Sequence, residues 1–442
     1  MQTENKKMTV FGCGPIGLIN TIGFSQAGYQ VLAYDINTKK IQNLSDAKYD
    51  LYEPGLKENL QLQLLKKNIT FTSEFLEAVA FSSIDFIALG TPSSPDGSAD
   101  TKQIEFLLLE ITQHACCSKT IFLRSTVPPG TTRKLQKQTN DLLKKLDKKI
   151  HIQLIHHPEF LREGTALEDF KYPDRLVFGA EFVDKNLIFK LYPTVLPEKI
   201  LFTTWEESEL IKYASNTYLA QRISFINEIA RLAEKVNANI QTIKKGISLD
   251  PRIGESFLNA GLGFGGSCFP KDLKALISFA GEHNELLPLA RATLTINELQ
   301  ISRWSDKINN YFHLHSNLER VITLWGASFK PNTSDLRESQ SLKLINRLLE
   351  LGFKIKIYDP VCFHELNEIY STNKNVMVHS AIDSSLENSN ALVLATEWDQ
   401  FQKYGLESIK TKLSHLVVFD TRNLFDPLSA QELGFKYFGA GQ

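Results

Sequence analysis

The sequence predicts an α/β protein: two Rossmann-like, doubly wound domains joined by a central domain built on a long helix. Three observations carry this. The first third alternates short apolar runs with helical stretches, and its first run ends in a glycine-rich turn. The middle holds a helical pattern from Glu206 to Lys244 with neither glycine nor proline. The last third resumes the strand–helix alternation. Boundaries are expected at residues 1–205, 206–310 and 311–442, three domains of ordinary size for a chain of 442 residues.

Taken in order, MTVFGCG reads as a strand entering a turn, PIGLINTIGFSQAG as a helix and YQVLAYDIN as a second strand. SIDFIALGTP and KTIFLRSTVPPGT are further strands that end in small polar, glycine and proline residues. In parallel sheets ligands bind beyond the carboxyl ends of the strands, which is where GTPSSPDG and RSTVPPG fall. On the central helix Lys212 and Asn216 are spaced i, i+4 and share a face, with Leu210, Ala214 and Leu219 as the expected buried stripe. Pro270 suits the first turn of a helix, so PKDLKALISFA should start one just after Cys268. Near the end, RVITLWGASF, KIKIYDP, ALVLATEW and LVVFDTRNLF read as strands and SLKLINRLLELG as a helix stopped by glycine. Only the first of the two α/β regions carries a glycine fingerprint.

Composition narrows the function. Net charge is −1, from 49 basic and 50 acidic residues, so neither a general nucleic-acid surface nor a membrane surface is expected. The early apolar run is cut by Gly12, Gly14, Pro15, Gly17 and Gly23, and reads as strand–turn–helix rather than a signal peptide or a membrane span. The cysteines Cys13, Cys116, Cys117, Cys268 and Cys362 are odd in number and form no C-x-x-C, which points to reduced thiols and a cytoplasmic protein.

The chemistry-bearing residues start with Gly12-Cys13-Gly14-Pro15-Ile16-Gly17, a G-x-G-x-x-G between strand and helix. Gly12 permits the tight turn, Gly14 a close approach to pyrophosphate, and Gly17 close helix–strand packing. The helix N-terminus offers free N–H groups to phosphate. Asp35 would accept the ribose hydroxyls and repel a 2′-phosphate, favouring NAD over NADP, with Lys39 and Lys40 nearby as the counterweight. Four glycines (Gly261, Gly263, Gly265, Gly266) precede Cys268. A cysteine at a helix N-terminus beside Lys271 suits a thiolate nucleophile; the alternative is a buried, inert thiol. Asp272 can serve as acid/base or merely complement the helix dipole. Lys212 and Asn216 can hold an oxyanion together or form a solvated surface pair. His156, His157, Glu159, Arg162 and Glu163 cluster in HHPEFLREG, but adjacent strand side chains point to opposite faces and no zinc spacing is present, so no metal is expected.

Together GCGPIG, YEPGL, GTPSSPDGSAD, RSTVPPGT, PEFLREGTA, PDRLVFG, ELIKYASNTYLAQRISFINEIA, GFGGSCFPKDL, FKPNTSDLRES and FDTRN, in this order along nearly the whole chain, resemble the nucleotide-sugar dehydrogenases, the UDP-glucose/GDP-mannose dehydrogenase family, with EFLREG and PDR nearest its UDP-glucose branch. The resemblance implies a four-electron, NAD-dependent oxidation of UDP-glucose to UDP-glucuronate, feeding polysaccharide or glycoconjugate synthesis. Cys268 would form a thiohemiacetal and then a thioester. Lys212 would stabilise oxyanions, Asn216 would position sugar and water, and Asp272 would move protons. Glu159 would activate the hydrolytic water, with Thr126 supporting it. NAD would contact Gly12, Gly14, Pro15, Ile16, Gly17, Asp35, Lys40, Thr91, Thr126, Glu163, Lys271 and Arg337. The nucleotide sugar would contact Glu159, Phe160, Leu161, Arg162, Lys212, Asn216, Asn259, Phe264, Gly265, Phe329, Lys330 and Arg422, and its two phosphates need only such local cations. Arg252 would reach a neighbouring subunit's site, implying a homodimer. Two positions depart from the family pattern. His157 replaces the usual Asn and would alter local pH dependence, and Lys40 stands where an arginine is frequent.

Three alternatives stay open. A GDP-mannose or UDP-N-acetylhexosamine dehydrogenase would share fold and mechanism. A two-electron alcohol or 3-hydroxyacid dehydrogenase would use Lys212 and Asn216 and yield one NADH per product. A NAD-binding sensor would turn nothing over.

Overall fold

The computed structural model describes residues 6–49 and 52–442. The chain divides into two compact units: the first runs to Ser215 and takes in Lys274–Asn284, and the second holds Asn216–Leu273 and Glu285–Gln442.

The first unit is built on a sheet of β1 (Lys7–Phe11), β2 (Gln30–Tyr34), β3 (Ile69–Thr72), β4 (Ile84–Ile87), β5 (Lys119–Leu123), β6 (Ile152–His156), β7 (Leu176–Gly179) and β8 (Ile200–Thr203). The order is β3-β2-β1-β4-β5-β6-β7-β8, parallel except where β7 meets β6 through His156 and Gly179. Both faces of the sheet are covered, so its strands are apolar on both sides. Met8 and Val10 of β1 join a core with Phe86, Phe122 and Phe178. Phe11 belongs instead to the core with Ile87, Ile121 and Leu123 on the other face, as the two-residue period of a strand requires.

In the second unit β9 (Val321–Trp325), β10 (Lys354–Tyr358), β11 (Val376–His379), β12 (Ala391–Leu394), β13 (Val417–Asp420) and β14 (Lys436–Gly439) form an all-parallel sheet ordered β11-β10-β9-β12-β13-β14. This repeats the order of the first six strands. The predicted fold class holds: two Rossmann-like sheets, separated in sequence by the helices Trp205–Lys235, Ile240–Ser248, Phe269–Glu282 and Pro288–Leu314. Among the described residues no helix is long and apolar enough to cross a membrane.

The central helix is shorter than expected. The glycine- and proline-free pattern predicts one helix from Glu206 to Lys244, but it ends at Lys235 and a new one starts at Ile240. Two asparagines make the break. Asn237 adopts a left-handed φ of 54°, which asparagine tolerates better than most residues. The Asn239 side chain then accepts from the N–H groups of Gln241 and Thr242 and caps the next helix.

Candidate active site

In the first unit the candidate residues gather at the carboxyl ends of β1, β2, β4, β5 and β6. After β1 the chain turns at Gly12, and helix Pro15–Gln26 begins with Gly14 as its N-cap and Pro15 in its first turn. No side chain caps this helix and no acidic residue lies in its first turn, so its N-terminal N–H groups and dipole stay available to an anion. Gly17 is required by packing, because a Cβ there would lie 1.7 Å from the Gly12 carbonyl oxygen. Asp35, at the end of β2, accepts from the Cys13 N–H at 3.0 Å and pairs with Lys40 at 2.9 Å. Burial acts to raise the Asp35 pKa, but Lys40 and the N–H groups of Asn37 and Cys13 outweigh it and hold the carboxyl below its usual value. Lys40 is thereby tied to the carboxylate that would meet a ribose. An ionised Asp35 beside an uncapped helix start fits NAD. Cys13, in the same turn, is buried beside Asp35, and burial pushes its thiol pKa up, so it is no nucleophile.

Thr91 and Thr126, both buried, are joined by the Thr91 hydroxyl donating to the Thr126 carbonyl at 2.9 Å. Beyond β6, Glu159 is buried and accepts from the Leu161 N–H at 2.8 Å. Lys212 is also buried, its Nζ 3.0 Å from Glu159 Oε1 and 2.6 Å from the Glu159 carbonyl oxygen. Burial works against ionised Glu159, yet Lys212 and the Leu161 N–H prevail and its pKa is lowered. The structure therefore decides one open alternative: Lys212 is no solvated surface group. Its ammonium also lies 5.3 Å from the Phe160 ring centroid. The face bearing Lys212 buries Ser208, Glu209, Lys212 and Tyr213, whereas Leu210 is 46% exposed and Ala214 is exposed too. The expected apolar stripe thus fails at Leu210 and Ala214, although Leu219 is half-buried, because polar groups with partners occupy the inner face.

His157 also departs from expectation. It is fully buried, its Nδ1 2.8 Å from the Val177 carbonyl and its Nε2 2.9 Å from the Tyr192 hydroxyl, and it stacks on Phe178. Burial, reinforced by the Arg124 charge, holds its pKa well below 6.5, so it stays neutral and adds no titration near neutrality.

Helix Phe269–Glu282, whose first residues belong to the second unit, starts directly after Cys268, with the Asp272 N–H donating to the Cys268 carbonyl at 2.9 Å. Cys268 is partly exposed. Asp272 is buried, and accepts from Asn216 Nδ2 at 2.6 Å and from Lys271 Nζ at 2.6 Å. An Asp that only complemented a dipole would face water; this one is desolvated and held by two donors. The preceding glycines are buried rather than open. A Cβ on Gly266, at φ 79°, would meet the Phe329 ring at 2.8 Å, and one on Gly265 would meet the Glu338 carbonyl oxygen at 2.4 Å. The Phe264 carbonyl accepts from both Asn297 and Gln340. The segment is a packed strap whose last residues present Cys268.

Phe329 and Lys330 follow β9, and Arg422 follows β13 with its Nε donating to the Ala395 carbonyl at 2.7 Å. Asn259 is exposed. Three predicted contacts are engaged locally: Arg162 with Asp169, Arg337 with Asp335 and Arg252 with Asp250. Glu163 stands half-buried in the loop after β6. Sequence reasoning missed several buried charges, Arg124 and Glu209 among them. Arg124 donates to the His157 carbonyl at 3.2 Å, and Glu209 anchors a distant loop. The only signal for Glu209 was its i, i+3 spacing from Lys212.

Comparisons with known proteins cover the whole of this architecture. Residues 6–195, 206–299 and 323–427 match, respectively, the NAD binding, central and UDP binding domains of the UDP-glucose/GDP-mannose dehydrogenase family. UDP-glucose 6-dehydrogenase TuaD of Bacillus subtilis (strain 168) is 35% identical over 99% of this chain and 93% of its own length. A UDP-glucose dehydrogenase structure from Pyrobaculum islandicum superposes with a TM-score of 0.88 at 32% identity, covering 100% of this chain and 98% of that one. A UDP-D-ManNAc dehydrogenase structure from Pyrococcus horikoshii gives 0.84 at 26% identity, covering 98% and 99%. With the fingerprint turn, the paired Asp35 and both sheets in place, the chain belongs to the UDP-glucose/GDP-mannose dehydrogenase family and is an NAD-dependent nucleotide-sugar dehydrogenase.

Proposed function

We infer that the protein oxidises UDP-glucose to UDP-glucuronate through a covalent thioester on Cys268. The observation that carries this reading is the pairing at the start of helix Phe269–Glu282: a partly exposed Cys268, and one turn on a buried Asp272 held by Asn216 and Lys271. NAD, held on the Gly12–Gly17 turn and Asp35, would supply the hydride acceptor for each of the two oxidations at C6. In the first, Asp272 and a water held by Asn216 take the C6 hydroxyl proton while Lys212 steadies the oxyanion. Cys268 Sγ then bonds to C6 of the aldehyde, which keeps it from escaping. The second oxidation leaves a thioester. Water activated by Glu159, with Thr126 ordering it, attacks C6; the C–S bond breaks, the acid leaves and the thiol is restored. The remaining assignments follow from the motifs, with NAD on Gly12–Gly17, Asp35, Lys40, Thr91, Glu163, Lys271 and Arg337, and the nucleotide sugar on Phe160–Arg162, Asn259, Phe264, Gly265, Phe329, Lys330 and Arg422.

The functional segments are residues 1–205, 206–310 and 311–442, of which 1–5, 50 and 51 lie outside the described residues. The protein works as a homodimer in the cytoplasm, with Arg252 serving the neighbouring site. Tyr218, Phe225 and Leu232 form an exposed apolar row on the helix Trp205–Lys235, with exposed Val236 just past its end, which supports a partner there, and the Arg252 side chain is 87% exposed. A monomer in sedimentation equilibrium would overturn this part.

A panel of UDP-glucose, UDP-N-acetylmannosamine and GDP-mannose, assayed for NADH and product, tests the function. Two NADH per uronate from UDP-glucose, and no acid from Cys268→Ala, are expected. Likeness to a UDP-D-ManNAc dehydrogenase supports the second reading, which a preference for UDP-N-acetylmannosamine would establish. One NADH per product, or acid formation by Cys268→Ala, would rule out the thioester.

A further inference from the structure

Glu209 takes no part in the chemistry above. It lies three residues before Lys212 on the long helix and is fully buried. Its carboxylate reaches a loop far off in sequence. Oε2 accepts the Gly130 N–H at 2.6 Å, and Oε1 accepts the Thr132 N–H at 2.8 Å and the Thr132 hydroxyl at 2.6 Å. These groups open helix Thr131–Lys145, whose N-cap, Gly130 at φ 88°, has no side chain to satisfy them. Glu209 thus does from another element what a capping side chain does locally.

Between Gly130 and Thr126 stand only Val127, Pro128 and Pro129. Proline fixes φ, so the connection is stiff and a fixed Gly130 restrains Thr126. From the other side, Ser125 donates to the Leu89 carbonyl at 2.7 Å and Thr91 to that of Thr126 at 2.9 Å.

We propose that Glu209 is a positioning residue that locks the Ser125–Val127 loop to the helix carrying Lys212, and that protonating it releases the lock. The proposal rests on Lys212 and Thr126 being active-site groups. Burial raises the Glu209 pKa to about 7, against the pull of the Thr132 and Gly130 donors. The charged groups around it leave this titration to Glu209. Glu206, on the same helix, is paired with Arg133 of the facing helix. Lys212 is paired with Glu159. His156 of β6, bonded to Ser208, is held neutral by burial with a pKa of about 3. Protonation takes up acceptor capacity that faces three donors. The sign of the linkage separates release from unfolding. With its pKa raised in the fold, Glu209 adds stability as pH falls through about 7, so a rate lost there is not lost to unfolding.

The test is the pH–rate profile of the intact enzyme with the nucleotide sugar it oxidises, together with NAD affinity by calorimetry, for wild type, Glu209→Gln and Thr132→Val. Wild type should show an acid limb near pH 7. Glu209→Gln should lack that limb and turn over roughly 10-fold or more slowly throughout. Thr132→Val removes a donor, raises the Glu209 pKa and should move the limb to higher pH with the alkaline plateau unchanged. A wild-type profile in Glu209→Gln, or an unmoved limb in Thr132→Val, overturns the proposal. Should Glu209→Gln not fold, Thr132→Val decides alone. If no nucleotide sugar is oxidised, the reading of the site fails. The pH dependence of NAD affinity then still decides the lock: a shift between wild type and Thr132→Val supports it, and identical or flat profiles overturn it.

Discussion

The two sheets begin with the same turn and put it to different use. After β1, Gly12 has a φ of 97° and donates to the Tyr34 carbonyl at 2.8 Å; after β9, Gly326 has a φ of 89° and donates to the Tyr358 carbonyl at 2.8 Å. In each the next N–H reaches an aspartate at the end of the second strand: Cys13 to Asp35, and Ala327 to Asp359. The copies part after that. In the first, a helix starts at Pro15 with no side-chain cap, leaving N–H groups for phosphate. In the second, the helix waits until Gln340 and is capped by Ser339. The intervening loop, with Phe329 and Lys330, carries Phe329 against Gly266. Asp359 is consumed by Ala327, Ser328, Val361 and Cys362, whereas Asp35 keeps an edge toward solvent. An early, uncapped helix start and an aspartate at the surface, rather than the glycine turn itself, set the first turn apart from the second.

The comparison extends into the cores, where it can be broken most sharply. Asp85 of β4 and Lys119 of β5 form a fully buried ion pair at 2.8 Å. By strand register their counterparts in the second sheet are Leu392 and Leu416. Asp85→Leu or Lys119→Leu alone should cost about 3–5 kcal/mol in urea unfolding by stranding a buried charge, while the double variant should be near neutral. A double variant as unstable as the singles would mean that the first sheet cannot accept the second's solution. Asp359→Asn should cost about 2–3 kcal/mol of stability, since a buried acceptor of several N–H groups becomes partly a donor, and should leave NAD affinity unchanged; weaker NAD binding would give the second turn a cofactor role. Gly17→Ala should weaken NAD binding about 10- to 100-fold by calorimetry, through the clash with Gly12, and unchanged affinity would sever that turn from the cofactor. The smallest effect is expected of Asp35→Asn: about 10-fold weaker NAD binding and a smaller preference over NADP, with a melting temperature close to wild type.

Much of this was legible beforehand. The glycine fingerprint, the acid at the end of β2 and the proline after Cys268 act through local backbone geometry, so spacing alone located their elements. The paired asparagines that end the central helix were readable in principle, yet the absence of glycine and proline concealed them. Leu210 and Ala214 show a different limit. Hydrophobicity assigned them inward, but that face of the helix is filled by Glu209 and Lys212, whose burial is stabilised by partners more than 50 residues away.

The sequence by itself determined the alternation of strands and helices, the turn that fits NAD and the start of a helix at Cys268, because these follow from periodicity and from the conformational limits of glycine and proline. Only the tertiary structure decided which charges go inside. Lys212 with Glu159, Asp272 with Asn216 and Lys271, and Glu209 with Gly130 and Thr132 are buried because the fold brings each a hydrogen-bonding partner. Desolvating a charge is costly unless such a partner is there to meet it, and no local pattern says where that partner will be.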